Sequence, residues 1–216
     1  MNPRPRPSIA ELHVGDEPEI WEGLGFGVEG NRCRIGTVDI IFIGDEPGIH
    51  GWVLRDSLST DFGPLPTRSV DTPIPERAEP HPNRSIGFDH VVLSVPFFEE
   101  GMTAVAATGV SIPKPRPFGA PEKRMLRTAP EMGDLELELI GPESCDSTRP
   151  WDLWGLVVTV NDIDATVALL GELLRPAKGA VQAGRRIATV DKSAGSGVAI
   201  AFLGPQESKR TNYLAL

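Results

Sequence analysis

The sequence repeats one pattern of strand and helix signals, and this repeat constrains the fold more than any other feature. Residues 86–95, IGFDHVVLSV, follow a proline-rich run and alternate polar and apolar side chains, as a half-buried strand does. The pattern returns in residues 154–160, WGLVVTV, and more weakly in residues 8–14, SIAELHV. Each copy is followed by a helical pattern and further strand signals. The chain therefore predicts a β-α-β-β-β unit written three times.

The second and third copies align without gaps over their first and last strands. Residues 89–95 match 154–160, and LELELIGP at 135–142 matches VAIAFLGP at 198–205. Both last strands end in Gly-Pro, which supports the alignment. The copies are thus two versions of one module.

The boundaries follow from these signals and from the distribution of proline. Residues 56–85 contain six prolines and few large apolar side chains, and proline cannot donate to a sheet ladder. We predict tails at 1–7 and 206–216, modules at 8–55, 86–142 and 154–205, and a linker at 56–85. Helices are expected at 16–24 and 97–108, and after Asn161 or Asp162 as N-cap. The later strands of copy one are expected at 26–35, 38–43 and 49–54.

Composition excludes several partner classes. The net charge of −9 argues against nucleic acid, since phosphate binding needs a basic surface. No run of 18 apolar residues predicts a membrane span, and no apolar stretch follows the two N-terminal arginines as in a secretory signal. Cys33 and Cys145 lie in different copies without metal-site spacing, so we expect two reduced thiols in a cytoplasmic protein.

The order of the motifs resembles the vicinal oxygen chelate superfamily, which includes glyoxalase I, extradiol dioxygenases and bleomycin-resistance proteins. The likeness is carried by residues 89–95, with His90 at the strand head, and by residues 135–142. It extends over residues 86–205, and more weakly over 8–55. The resemblance implies an α+β fold of tandem βαβββ modules that form cupped mixed sheets, with helices on the outer face and a site inside the cup.

Strand alternation also predicts a polar face on these two strands, independently of the resemblance. His90 and Ser94 share one face of their strand, while Val91 and Leu93 share the other. On the last strand of this copy the carboxylates at 136 and 138 face opposite to the neighbouring leucines. Such a face either lines a cavity or is simply solvated.

The resemblance implies a metal site to which each module gives one His and one Glu. Copy two supplies His90 and Glu138 as candidate metal ligands and catalytic residues, with Glu136 as a second carboxylate. Copy three has Gly155 and Ala201 at these positions, and copy one has Ile9 at the His position. Two protein ligands are fewer than the three that a catalytic metal normally has. The site therefore holds Fe, Ni, Zn or Mn only with a further ligand, and otherwise no metal.

Other polar residues extend the candidate site. Glu11 and His13 fall on the same strand face as Ile9 and could complete a metal site, as could His50 or His81. The arginines on the later strands of copies two and three could face the cup and bind an acidic ligand, or lie at solvated edges. The predicted substrate-binding residues are Glu136, Ser94, His13, Glu11 and Arg127.

Three functions remain open. The first is a glyoxalase-like protein that binds a small molecule in the cup with an incomplete metal site and is non-catalytic or weakly catalytic. The second is a divalent-metal-dependent lyase, isomerase or dioxygenase that uses His90, Glu138 and a ligand from another module or chain. The third is a structural protein whose modules only pack. Because the family pairs its modules, copy one could pair with its twin in a homodimer.

Overall fold

The computed structural model describes residues 6–120 and 124–205. Its N-terminal part contains the elements β1 (Ser8–Val14), α1 (Pro18–Gly23), β2 (Arg32–Ile35), β3 (Val38–Phe42), β4 (Ile49–Arg55) and β5 (Thr67–Val70). The five strands form one sheet in the order β2-β3-β1-β4-β5. Both predicted tails lie largely outside the described residues.

The C-terminal part forms a second, larger sheet. Its elements are β6 (Ser85–Ser94), α2 (Phe98–Ala107), β7 (Arg116–Phe118), β8 (Met125–Thr128), β9 (Glu136–Pro142), β10 (Asp152–Val160), α3 (Ile163–Leu170), β11 (Lys178–Gly179), β12 (Arg186–Thr189) and β13 (Ala199–Leu203). The eight strands lie in the order β11-β12-β13-β10-β6-β9-β8-β7.

This order is two βαβββ modules joined at their first strands. In each module the first strand is parallel to the last, and the two middle strands extend the sheet outwards. The first strands β6 and β10 pair antiparallel at the centre of the sheet. The predicted α+β, glyoxalase-like fold of tandem modules is therefore confirmed.

Apolar burial holds helices and sheets together. Asp162 caps α3, since its carboxylate accepts the amide of Ala165 at 2.9 Å, so the second of the two expected N-caps is the one used. Phe26 of the N-terminal part stacks on Phe202 of the C-terminal sheet with ring centroids 5.8 Å apart. Both rings are buried, so the two sheets share one hydrophobic core. No helix in the described residues has the length and apolar composition needed to cross a membrane.

Strand β4 was expected to be the last strand of the first module, which in the other two modules lies parallel to the first strand. It pairs antiparallel with β1, on the edge opposite to β3. The outer edge of β3 is occupied by β2, so the chain leaving β3 adds to the free edge of β1. This edge of β1 is thus paired within the chain itself, and the homodimer stays a prediction.

The proline-rich segment also contributes a strand that the sequence did not predict. Residues Thr67–Val70 pair parallel with β4 as β5, at the edge of the sheet. The prolines at 64, 66 and 73 flank this strand and none lies inside it. An edge strand needs donors on one side only, so flanking prolines are compatible with it.

A β-bulge changes which residue of copy one corresponds to His90. Relative to the antiparallel partner strand, Ala10 is an extra residue in β1. In β6 there are two extra residues, Ile86 and Asp89. Ala10 and Asp89 occupy corresponding positions. The residue that follows each of them, Glu11 or His90, stands opposite a valine of the partner strand. The resemblance places Ile9 at the His position, but the register places Glu11 there, because Glu11 and His90 each follow the bulge of their strand. Ile9 instead lies in the core, 1% exposed.

Candidate functional site

The inner face of the eight-stranded sheet carries a cleft of about 1200 Å³. Helix α2 packs on the opposite face, where Gly101 lies against Leu139. On the inner face His90 is the register partner of Glu136, and the next pair on this face brings in Glu138. These three side chains and Arg127 line the cleft, which we call the cup. Alternation within the two strands thus predicts the polar face correctly.

A line of alternating basic and acidic side chains runs along the inner face of the sheet and enters the cup. The His90 Nδ1 lies 2.9 Å from Oδ2 of Asp89, and its Nε2 lies 3.6 Å from Oε2 of Glu138. Beyond them, Arg185 Nη1 donates to Asp89 Oδ1 at 2.7 Å, and Arg127 Nη1 lies 3.5 Å from Glu138 Oε1. Because an ionised carboxylate can only accept, Nδ1 of His90 carries the proton, and Nε2 faces Glu138 in the cup.

Asp89 reaches this face through the bulge in β6. Simple alternation would place it on the apolar side with Val91, but the extra residue turns it to the side of His90. Arg185, which comes from the other module, is itself held by donating from Nε to the carbonyl of Gly204 at 2.8 Å. Sequence reasoning missed the role of Asp89. The available signal was a charged residue at a position where alternation predicts an apolar one.

The pKa values of two carboxyl groups on this face, Asp89 and Glu136, are shifted in opposite directions. Burial alone would raise the pKa of Asp89, but hydrogen bonds with His90 and Arg185 and their charges outweigh it and lower that pKa. Burial raises the pKa of Glu136, and repulsion from Asp89 adds to the increase. The side-chain carboxylate of Glu136 has no ion-pair or hydrogen-bond partner in residues 6–120 and 124–205.

The described residues do not fit a metal centre. Among them, no three His, Cys, Asp or Glu side chains come together to hold an ion. His90 and Glu138 contact each other, but Nδ1 of His90 is engaged with Asp89. The register places Gly155 and Ala201 of β10 and β13 at the counterpart positions, and neither has a ligating side chain.

The four residues proposed as a third ligand lie elsewhere. Glu11 and His13 contact each other in the five-stranded sheet, with Oε2 and Nε2 3.1 Å apart. The ring of His50 contacts the backbone carbonyl of Glu46. His81 is 8% exposed and held between the amide of residue 27 and the carbonyl of residue 34, and burial lowers its pKa. Each imidazole therefore has a local structural partner.

Basic side chains that sequence reasoning did not single out surround the cup. Lys114 and Arg116 come from the segment before and within β7, and Lys178 comes from β11 at the other end of the sheet. With Arg127 they make four basic residues against the two glutamates, an excess of two positive charges. Ser94 lies on the same strand face, beside Ile140, but is not among the residues that line the cup.

No family model matches the sequence, and no curated protein matches it significantly. Among solved structures, the chain is similar to a hypothetical protein from Bacillus halodurans at 16% identity and a TM-score of 0.43, covering 56% of this chain and 95% of that one. Methylmalonyl-CoA epimerase from Mycobacterium tuberculosis is similar at 18% identity and 0.43, covering 57% and 91%. The Streptomyces coelicolor epimerase, in complex with 2-nitronate-propionyl-CoA, is similar at 15% and 0.43, covering 57% and 99%.

Proposed function

We propose that this chain is a glyoxalase-like binding protein that holds a small, negatively charged molecule in the cup without a bound metal. The observation that carries the proposal is the charge of the cup. The chain as a whole has a net charge of −9, yet the cleft on the inner face carries two positive charges in excess. Positive charge concentrated in a cleft attracts anions and raises their local concentration.

Two arginines form the expected anion-binding group. Arg116 of β7 and Arg127 of β8 are register partners on antiparallel strands, and both line the cup. Like charges directly opposite each other destabilise a strand pair, so an anion between them would relieve the repulsion. Arg127 also lies over the ring of Phe118, 5.9 Å from its centroid, which orients the guanidinium. Guanidinium groups bind carboxylate and phosphate in bidentate geometry.

The remainder of the cup suits an apolar part of the same ligand. Val157 forms part of its floor, and Ile187 of β12 lines it as well. Pro113 and Pro115 lie on the side of the basic residues. A cleft with an apolar floor and a few convergent polar groups is typical of small-molecule sites. We therefore expect an organic anion with an apolar body.

The test is a screen of carboxylates and organic phosphates, followed by calorimetry on the ligands found. In Arg127→Gln the affinity should fall about tenfold, since a hydrogen bond to a charged group contributes on the order of 1.5–3 kcal/mol. The matched control is Arg124→Gln, whose exposed guanidinium pairs with Glu143 at 3.4 Å. Ligands that are uncharged or cationic, or equal affinities in both variants, would refute the proposal.

A second candidate function is metal-free proton transfer on the bound anion. The observation that favours it is the Asp89, His90 and Glu138 arrangement, in which one imidazole nitrogen is oriented by a carboxylate and the other faces the cup. His90 would act as general base. A ligand that gains deuterium from D₂O with the parent protein but not with His90→Gln, while still binding to it, would support this candidate.

A further inference from the structure

One edge of the cup is formed by a hairpin whose tip carries apolar side chains. Strands β11 and β12 pair antiparallel, and residues 180–185 connect them. Five consecutive residues of this hairpin, 178–182, line the cup. The strand order places β11 and β7 at opposite edges of the sheet. The hairpin therefore lies across the cup from Arg116, which β7 contributes.

The tip of the hairpin has an unusual composition for a turn exposed to water. Turns favour Gly, Pro, Asn, Asp and Ser, but this one contains Ala180, Val181 and Ala183. Val181 is 90% exposed, the highest value among the large apolar residues exposed in residues 6–120 and 124–205. Within that part of the chain it is also the member of this exposed set that lines the cup. Single exposed apolar side chains are common, but one in the wall of a cleft is available to contact a ligand.

Hydrogen bonds hold the hairpin in place. Arg185 donates from Nε to the carbonyl of Gly204 at 2.8 Å and from Nη1 to Oδ1 of Asp89 at 2.7 Å. The amide of Ala180 donates to the carbonyl of Arg185 at 2.9 Å, and the amide of Arg185 donates to the carbonyl of Gln182 at 3.1 Å. These contacts set the position of the tip, although β11 has only two residues. A contact that selects between ligands needs such a supported position.

An uncharged floor leads from the hairpin to the centre of the cup. Strands β12, β13 and β10 are neighbours in the sheet order. One row of register partners across them consists of Thr189, Ala201 and Val157. Ile187, two residues before Thr189 on the same strand face, lines the cup as well. The apolar part of a ligand can therefore extend along this floor towards the tip.

We propose that the ligand of the cup is an organic anion with a long apolar chain, and that Val181 contacts the far end of this chain. The inference rests on the proposed function, in which Arg116 and Arg127 bind the anionic group. Five strands separate β8 from β11, which corresponds to roughly 29 Å along a flat sheet and to less across a cupped one. An anion with a short apolar part cannot contact the arginines and the tip together. Val181 therefore selects ligands by chain length.

The experiment compares the straight-chain carboxylates hexanoate, decanoate and tetradecanoate by calorimetry, each below its critical micelle concentration. In Val181→Ser the affinity for tetradecanoate should fall about tenfold, since the variant loses the burial of a valine side chain against the ligand, and the affinity for hexanoate should not change. Ile74→Ser is the matched control, because Ile74 is also β-branched and is 57% exposed outside the cup. It should bind all three carboxylates like the parent. Because Val181 is so exposed, its substitution leaves the fold intact.

The inference and the proposed function fail in different ways. If Arg127→Gln weakens all three carboxylates but Val181→Ser binds tetradecanoate like the parent, the arginine site stands and the contact at Val181 is refuted. Equal losses of hexanoate and tetradecanoate affinity in Val181→Ser would refute selection by chain length. If none of the three carboxylates binds, a long-chain anion is not the ligand, while the screen of organic phosphates still tests the cup. If Arg127→Gln binds every carboxylate like the parent, the proposed function fails and the inference fails with it.

Discussion

Arg185 Nη1 lies 2.7 Å from Oδ1 of Asp89, and this contact joins the third module to the second across the inner face of the sheet. Both side chains are less than 20% exposed. Asp89 in turn accepts from His90. The orientation of the imidazole in one module therefore depends on an arginine supplied by the other.

Removal of Arg185 should destabilise the protein. In Arg185→Gln, Asp89 loses its cationic partner in a largely buried position, and we expect the free energy of unfolding to fall by about 1.5–3 kcal/mol. Urea denaturation gives the value. Arg186→Gln is the matched control, because Arg186 pairs with an Asp164 side chain that is 76% exposed, and its effect should stay below about 1 kcal/mol. Equal losses in both variants would contradict the role of the Arg185 contact.

The raised pKa of Glu136 predicts a gain in stability from Glu136→Gln. A carboxyl group whose pKa is higher in the folded state opposes folding when ionised, so the cost is present above the folded pKa. The cost disappears as the pH falls below the ordinary value of 4.5. Glu136→Gln should therefore stabilise the protein at pH 7, and the gain should shrink towards pH 4. Urea midpoints at the two pH values measure it, and a gain independent of pH would argue against this origin.

Asp89→Asn should change the stability at pH 7 in the opposite direction to Glu136→Gln. The pKa of Asp89 is lowered in the fold, so its carboxylate contributes stability above the ordinary value of 3.8. That contribution is lost as the pH falls through the lowered folded pKa. Asp89→Asn should thus be destabilised at pH 7, and its difference from the parent should narrow below pH 3.8. A constant difference from pH 7 to pH 3 would count against the ion-pair explanation.

Metal analysis should distinguish the proposed metal-free binding protein from the metal-dependent enzyme. Within residues 6–120 and 124–205 no three ligating side chains come together, and His90 and Glu138 alone are fewer than the three ligands of a usual catalytic metal. Protein purified without chelators or a His tag should therefore contain far less than one equivalent of Fe, Ni, Zn or Mn. Elemental mass spectrometry provides the measurement. Near-stoichiometric metal that is lost in the His90→Ala, Glu138→Ala double variant would restore the metal-dependent function.

Gly133 should tolerate no side chain. Its φ is 82°, and a Cβ there would lie 2.7 Å from the Cβ of Ser8, at the contact between the two sheets. We expect Gly133→Ala to cost about 1–3 kcal/mol in unfolding free energy. Gly30→Ala is a close control, since Gly30 has φ of 62° but open space around its Cβ position. If the two variants lose the same stability, backbone strain rather than the Ser8 contact explains the effect.

The repeat of strand and helix signals predicts the modules, and alternation within single strands predicts the polar face of β6 and β9. The side chains at 90, 136 and 138 meet because β6 and β9 each keep a period of two over the residues concerned. That period is a local property of the chain, so it can be read from the sequence. The same holds for the capped helix after Asp162.

Features that depend on contacts between distant parts of the chain are decided only by the tertiary structure. The bulges that turn Asp89 to the side of His90 and Ile9 into the core are defined by the partner strand. The placement of β4 beside β1 depends on which sheet edge is free, and the contact of Arg185 with Asp89 joins residues 96 positions apart. Hydrogen bonding between distant segments sets these features, and no local periodicity records it.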